Sequence, residues 1–395
     1  MSFREMLEQV KEGRADPECE AAVKAEIEKH EAIADYLAER FDEQFSDQEP
    51  SPSPETGRIS RRVRLRLLGS ACLAVLAVFL IAAAAVLFCD LSYYNPNKGI
   101  EARYGGDGQF LLDMAAFTEL HSPGYTASYA EAVRSGPGSY DLRIRQNDLF
   151  WRRELSSFDR LVRGKTVGSG GRTANEYWRF PIANAFGYRQ GLIVWVDENG
   201  VEHTEADPDT LADCREALAA LPPSSRAAVY VTFGHDLSLE EFDVLLERYG
   251  EKVPDLYFAY AAVAARDGYQ PGTLGFEPSG AGLVFENAPE EEFPCFELAL
   301  HDGEMEENRP AVWEEHFRSL LRYLSGRPGF LEAMADVNGI SPGYYQEALE
   351  YIDQNGIGIY GALVHGGAQD ILRLLEEEDV RDFYVENVKL SVLSR

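Results

Sequence analysis

Leu67–Cys89 reads LLGSACLAVLAVFLIAAAAVLFC, a run without a single charged residue. As a helix it covers about 34 Å, enough to cross the apolar core of a bilayer with some tilt. A soluble core helix of this length would keep a polar face, and this segment has none. It begins too far from the N-terminus to be an ordinary signal peptide. Arg58, Arg61, Arg62, Arg64 and Arg66 stand just before it, whereas Asp90 and an uncharged stretch to Lys98 follow it. The positive-inside rule puts the N-terminus in the cytoplasm and the C-terminal bulk outside. The chain is expected to be a single-pass protein of the cell membrane, held in the lipid bilayer by residues 67–89.

Upstream lies a helical cytoplasmic segment, residues 1–47. Ser2 and Glu5 form a capping-box pattern before Phe3, Met6, Leu7 and Val10, and Gly13 ends that first helix. Asp16-Pro17 starts a second, a cap followed by proline at the first helical position, which can run to about Phe45. Val23, Ile27, His30, Ala34, Leu37, Phe41 and Phe45 follow one another in steps of four and three, which makes one apolar stripe opposite a face dense in Glu, Asp and Lys. So short a segment has too little area to bury the stripe against itself. Its acidic face would be repelled by anionic lipid. The stripe therefore calls for a second copy of the chain, giving a homo-oligomer, or for another protein; the bland alternative is a two-helix hairpin with no partner. Val23, Ile27, His30, Ala34, Leu37 and Phe41 are the expected partner-binding residues. Residues 48–66 read as a Pro/Ser linker and basic flank, with Gln48–Gly57 (QEPSPSPETG) semi-extended.

The whole chain has 395 residues and a formal net charge of −30. So acidic a balance argues against a nucleic-acid partner, because phosphate contacts need clustered Lys and Arg. It keeps the surface solvated and would suit a basic partner. The five cysteines form no C-x-x-C pair, so neither a zinc ribbon nor a redox motif is present. Cys72 and Cys89 lie in the apolar segment. Only Cys214 and Cys295 could pair beyond it, and unpaired thiols are the expectation.

Downstream, Ser92–Ile100 reads as a turn-rich exit with Tyr93 and Tyr94 at the water interface. Residues 90–225 form a membrane-proximal region in which Leu142 and Ile144 mark a strand, Leu192–Val196 another, and Asp209–Leu221 a helix stopped by Pro222-Pro223. Residues 226–395 are clearer. Ala228–Phe233 is a strand; Ser238 with Glu241 caps a helix lined by Leu239, Phe242, Leu246 and Tyr249 and ended by Gly250; Leu256–Val263 is the next strand. An acidic loop and helices over Ala311–Leu324 and Tyr344–Asp353 intervene. Then come a turn at Asn355-Gly356, a strand over Ile357–Val364, a helix over Gln369–Glu377 and strand structure from Val380 to Leu393. Two strand-helix-strand units predict an α+β domain with a ferredoxin-like antiparallel sheet and helices on one face.

These pieces resemble the bacterial sigma factor regulator family. The residues that carry the likeness are the arginine-flanked membrane helix, YYNPNKGIEARYGG from Tyr93, VYVTFGHDLSLEEFDVLL from Val229 and IGIYGALVHGGAQDILRLLEEEDVRDFYVENVKL from Ile357. The match covers the membrane-flanking region and the last 170 or so residues of the chain, and less of 105–210 and 311–354. It implies an anti-sigma-like regulator whose inner helices bind an extracytoplasmic-function sigma factor and whose outer domain senses an envelope ligand. Many anti-sigma factors carry His-x3-Cys-x2-Cys for zinc. Here His30 is followed at those spacings by Ala34 and Leu37, so no metal and no cofactor is expected.

Catalytic signatures are missing: G-x-S-x-G, the phosphate-binding loop and H-E-x-x-H do not occur. Gly168–Gly171 (GSGG) follows no apolar strand and reads as a loop. His235-Asp236, His301-Asp302 and His365 before Gly366-Gly367 read as turns at strand ends. Glu290–Glu292 and Glu304–Glu307 read as solvated acidic surface. The chain is therefore not expected to be an enzyme. Besides the regulator, the competing readings are a membrane-anchored receptor or envelope-assembly protein unrelated to sigma factors, and an extracytoplasmic enzyme. The exit at Tyr93–Gly99 and the small residues Ala82–Ala85 suggest release by stepwise proteolysis.

Overall fold

A computed structural model describes residues 3–11, 16–46, 54–100, 108–168, 195–196, 202–203, 208–253, 255–267, 270, 272–280, 285, 288–334 and 340–390. The chain divides into two compact units, residues 1–81 and 82–395.

In the first unit, α1 (Phe3–Lys11) packs on α2 (Pro17–Ser46). Asp16 is the expected cap: its carboxylate accepts from the Cys19 amide at 2.7 Å. Ser2 and Gly13, expected to cap and end α1, lie outside the described residues. The third helix, α3 (Pro54–Ser92), starts earlier than the linker expectation allows. Pro54 suits a first helical turn, and the Arg- and Leu-rich stretch behind it favours helix, so residues 54–66 join the apolar run in one element. Its stretch Val63–Ser92 is long and apolar enough to cross a membrane, and none of its most apolar window is covered by protein.

In the second unit, α4 (Gln109–His121) packs against an antiparallel meander of β1 (Tyr125–Gly136), β2 (Ser139–Asp148), β3 (Arg153–Val162) and β4 (Lys165–Gly168). The strand expected at Leu142 and Ile144 is β2, whose alternate residues are buried. Arg163 and Gly164, both at positive φ, make the two-residue turn between β3 and β4. A short pair, β5 (Trp195–Val196) and β6 (Glu202–His203), then precedes α5 (Pro208–Ala219), the helix expected before Pro222-Pro223.

The last part holds β7 (Arg226–Leu237), α6 (Leu239–Lys252), β8 (Tyr257–Ala264) and β9 (Gly275–Phe276). It continues with α7 (Asp302–Ser325), α8 (Pro328–Met334), α9 (Pro342–Asn355), β10 (Gly358–Gly367), α10 (Ala368–Glu377) and β11 (Val380–Lys389). The sheet order is β11-β7-β10-β8-β9, with every neighbouring pair antiparallel. Leaving aside the edge strand β9, the two strand-helix-strand units interleave as 4-1-3-2, the ferredoxin-like arrangement expected from sequence. Along β7 the residues alternate between two apolar clusters. Ala227, Val229 and Val231 join the main core, while Ala228 and Tyr230 join a smaller one with Phe150 of the β2–β3 loop.

Two boundaries differ from the periodicity reading. The capping box at Ser238 forms as expected, with the Glu241 amide donating to Ser238 Oγ at 3.2 Å and the Ser238 amide to Glu241 Oε2 at 2.8 Å. Gly250 does not end α6, however; the helix runs on to Lys252 and stops at Val253, just before Pro254 in the sequence. A residue before proline is driven out of the helical region, and Val253 takes φ −139. Farther on, α7 begins at Asp302 rather than Ala311 and breaks its helical geometry at Asn308, two residues before Pro310.

Candidate functional site

The expected partner-binding residues fall on α2, but not all in the expected state. Val23 is only 2% exposed, so it is already covered and does not lie free on the surface of α2. Ile27 and Leu37 are 41% and 57% exposed. Ala34 and His30 face solvent, with His30 Nε2 3.9 Å from Glu26 Oε1. The side chains of Phe41 and Phe45 lie outside the described residues. Ile33 and Tyr36, which the stripe omits, are exposed as well. At about 100° per residue Ile33 stands at the margin of the stripe, whereas Tyr36 lies on the far side of the helix from Ile27. Tyr36 is held by Arg40, whose guanidinium carbon lies 6.0 Å from the ring centroid. Of the topology arginines, Arg64 and Arg66 are exposed on α3, and the side chains of Arg58, Arg61 and Arg62 are outside the described residues.

Where α3 ends, the chain is built into the second unit rather than left as a loose exit. Asp90 accepts from Arg134 Nη2 at 2.8 and 2.9 Å. A Cβ on Gly138 would come within 3.1 Å of Cys89 Cβ, and one on Gly164 within 3.6 Å of the Tyr93 ring; both glycines hold positive φ. Tyr94, expected at a water interface, instead points inward. Its hydroxyl donates to Asp113 Oδ2 at 2.9 Å, its ring meets Phe330 edge-on, and burial, with Asp113 beside it, raises the phenol well above its ordinary range. Pro96 is buried, and within Tyr93–Gly99 only Asn97–Gly99 are exposed, so the exit offers much less free chain than expected. The physical reason is a hydrogen-bonding site for a tyrosine hydroxyl that local sequence does not reveal.

That site is organised by Asp113, which is fully buried. Oδ1 accepts from Arg327 Nε and Tyr323 at 2.7 Å each and from Gln109 at 3.3 Å; Oδ2 accepts from Arg327 Nη2 at 2.7 Å and from Tyr94. A bidentate guanidinium with two phenols satisfies the carboxylate completely.

Among the described residues, the histidines of the second unit each have partners of their own. His121 is fully buried: Nδ1 meets the Thr273 carbonyl and Nε2 the Tyr345 hydroxyl, each at 2.8 Å. Burial lowers its pKa to about 4 against the opposing Thr273 bond, so it is neutral at neutral pH, donating from Nδ1 and accepting at Nε2. His235 pairs with Asp379 at 3.4 Å rather than with Asp236. His316, for which burial opposes ionisation, is nevertheless raised by Glu119, 2.8 Å away. His301 bridges Glu290 at 3.2 Å and Glu304 at 3.0 Å.

Cys295, His301 and Glu304 bring their ligand atoms within 4.8 Å of one another. Both His301 nitrogens are already engaged, and burial with the neighbouring Glu304, Glu290 and Glu315 pushes the free Cys295 thiol up to about 11, so it stays protonated. The side chain of Cys214, its possible disulfide partner, is outside the described residues. Glu290 is no solvated loop acid: its carboxylate accepts from the Phe296 and Glu297 amides at 3.2 and 2.8 Å. Of the GSGG loop, only Gly168 is described, at the end of β4.

A cavity of about 690 Å³ opens at one end of the five-stranded sheet. The β2–β3 loop supplies Phe150 and Arg152, and β3 begins with Arg153 and Glu154. Arg226 starts β7, Tyr257 starts β8, His365 lies in β10 and Lys389 ends β11. Arg226 and Lys389 are register partners on neighbouring strands, as are Tyr257 and His365. His365, read from sequence as a turn residue, is a buried strand residue with Phe150 and Tyr257 rings 5.2 and 6.0 Å away. Burial first, then Lys389 and Arg226, lowers its pKa to about 3. Nothing in the local sequence marks this site, because its residues come from five separated segments.

Residues 218–387 match the family described as sigma factor regulator C-terminal. Over 98% of both chains, the protein is 21% identical to the probable anti-sigma-M factor YhdL of Bacillus subtilis (strain 168). No solved structure matches the chain. The family region contributes Arg226, Tyr257 and His365 to the cavity, while the β2–β3 loop and Lys389 lie outside it.

Proposed function

With a sigma factor regulator C-terminal region at residues 218–387 as the premise, we propose that the chain is a single-pass membrane regulator of an extracytoplasmic-function sigma factor. The observation that carries the reading is the near end-to-end likeness to a relative named as a probable anti-sigma factor. The helices α1 and α2 lie in the cytoplasm, α3 crosses the bilayer, and the α+β unit faces outward to sense the envelope. The basic residues ahead of the apolar run support that orientation. The chain acts by binding, without a catalytic step of its own.

The sigma factor lies on the exposed apolar stripe of α2, where Ile27 and Leu37, with Ile33 at the margin, leave large side chains in water. Val23, already buried, is not part of that surface. Burying each of these side chains contributes on the order of 1.5–3 kcal/mol before the costs of association. Changing Ile27 and Leu37 together to Asp therefore weakens binding by roughly 100-fold or more. The test is co-purification of the tagged full-length protein from its native host. A stoichiometric sigma factor that disappears with Ile27→Asp/Leu37→Asp supports the reading. Recovery of the same sigma factor with the double variant rejects the assigned face, and recovery of none with the unaltered chain rejects the regulator.

A further inference from the structure

The cavity at the sheet end has a charge opposite to that of the molecule. The chain carries −30 overall, yet the lining sets Arg152, Arg153, Arg226 and Lys389 against Asp148 and Glu154 alone. Both carboxylates are already engaged. Asp148 is buried, accepts from the Trp151 amide at 2.9 Å and lies 3.4 Å from Arg153 Nε. Glu154 lies 3.6 Å from Arg145, which is not part of the lining. Arg226 donates to the Asp255 carbonyl at 3.1 Å and is 3.8 Å from that residue's exposed carboxylate. Among the described residues Arg152 makes no ion pair. The Lys389 ammonium donates to the Phe150 carbonyl and sits 4.5 and 5.0 Å from the Phe150 and Trp151 ring centroids.

Folding thus gathers like charges from a hairpin loop and two strand ends around one space. The effect registers on Lys389: burial lowers its pKa, Asp148 opposes, and Arg152, Arg226 and Arg153 add to the fall. An anion in the cavity would relieve that repulsion.

We propose that the cavity binds a soluble phosphate monoester, its phosphate held by Arg152, Arg226 and Lys389 and its organic body lying along Phe150, Tyr257 and His365. Three features select this class. The lining has two more positive than negative side chains, which a phosphate dianion balances. Guanidinium forks match phosphate oxygens in pairs. The space of about 690 Å³ lies within the range of small-molecule sites and far exceeds a bare ion. A neutral His365 offers a ring face and a hydrogen bond without adding charge. The site is also placed to be felt at the membrane helix: β2 carries Asp148 at the cavity and Tyr140, which lies against Arg134 and Asp90, at its other end. The assignment stands apart from the sigma-factor reading, because its test reads ligand binding alone.

The experiment is calorimetric titration of the full-length protein in phosphatidylcholine nanodiscs with phenyl phosphate, inorganic phosphate and phenol. Phenyl phosphate is expected to bind saturably and roughly 10-fold or more tighter than inorganic phosphate, with phenol not binding. Arg152→Gln/Arg226→Gln should weaken phenyl phosphate about 100-fold at an unchanged unfolding temperature, whereas Arg160→Gln, whose partner Asp141 is also outside the lining, should leave the affinity as it was. No saturable binding of phenyl phosphate, or undiminished affinity in the double variant, overturns the site. Equal affinity for phenyl phosphate and inorganic phosphate overturns the organic body. Repeating the titration with phosphatidylglycerol in the disc separates the sources: unchanged affinity supports a soluble ester, and competition transfers the site to a lipid headgroup and overturns the soluble ligand.

Discussion

Replacing Asp113 by Ala should be among the most destabilising single changes in the second unit. Its carboxylate is fully buried and takes hydrogen bonds from Arg327, Tyr323, Gln109 and Tyr94. These partners come from the segment after α3, from α4, from the end of α7 and from the residue before α8. Without Asp113 the Arg327 guanidinium loses its bidentate partner while still mostly covered, and two phenols lose an acceptor. Breaking a buried ion pair from one side costs about 3–5 kcal/mol. Tyr94→Phe removes one hydrogen bond to the same carboxylate and should cost about 1–2 kcal/mol. In a unit of this size each kcal/mol moves the unfolding midpoint by roughly 2–4 °C, so Asp113→Ala should lower it by about 6–20 °C and Tyr94→Phe by about 2–8 °C. Near-UV circular dichroism of the full-length protein in detergent reads both. Asp113→Leu combined with Arg327→Met should recover much of the loss, because it removes both charges together. The reasoning is refuted if Asp113→Ala shifts the midpoint no more than Tyr94→Phe does.

Three further outcomes are expected. The pKa of His121 is about 4 in the folded state and near 6.5 when unfolded, so the unfolded chain binds the extra proton between those values and stability falls as pH drops from about 6.5 towards 4. His121→Gln should flatten that part of the stability-versus-pH curve, measured as unfolding midpoints at pH values across it. Glu386 behaves in the opposite sense: burial, then Asp148, pushes its pKa up to about 7, so stability falls as pH rises from about 4.3 through 7. Glu386→Gln should raise the midpoint at pH 8 and change it little at pH 4. Ser238→Ala removes the acceptor for the Glu241 amide and should cost about 1 kcal/mol in chemical denaturation, with no effect on partner capture by α2.

Features whose cause is local were legible in the chain. The uncharged run at Leu67–Cys89, the Asp16-Pro17 helix start, the Ser238–Glu241 box and the two strand-helix-strand units all rest on periodicity or on contacts within a few residues. The interleaved sheet could be expected because two such units have few ways to bury one helical face each. The stripe on α2 was legible as a pattern, but its state was not. Whether Val23 is free or covered depends on packing between elements, and side chains off the stripe, such as Ile33 and Tyr36, are exposed by what fails to cover them.

Only the tertiary structure decided the rest. Asp113 and Arg327 look like ordinary surface charges until α4 and the α7–α8 corner meet. Tyr94 looks interfacial until the hairpin turns at Gly138 and Gly164 close around the end of α3. Arg152, Arg226, His365 and Lys389 form no motif, because a motif requires a spacing along the chain, and these residues share a cavity only through strand order and register. Hydrophobic periodicity specifies which face of an element is buried. It carries no record of which distant charges that burial brings together, and those charges set the chemistry of the cavity.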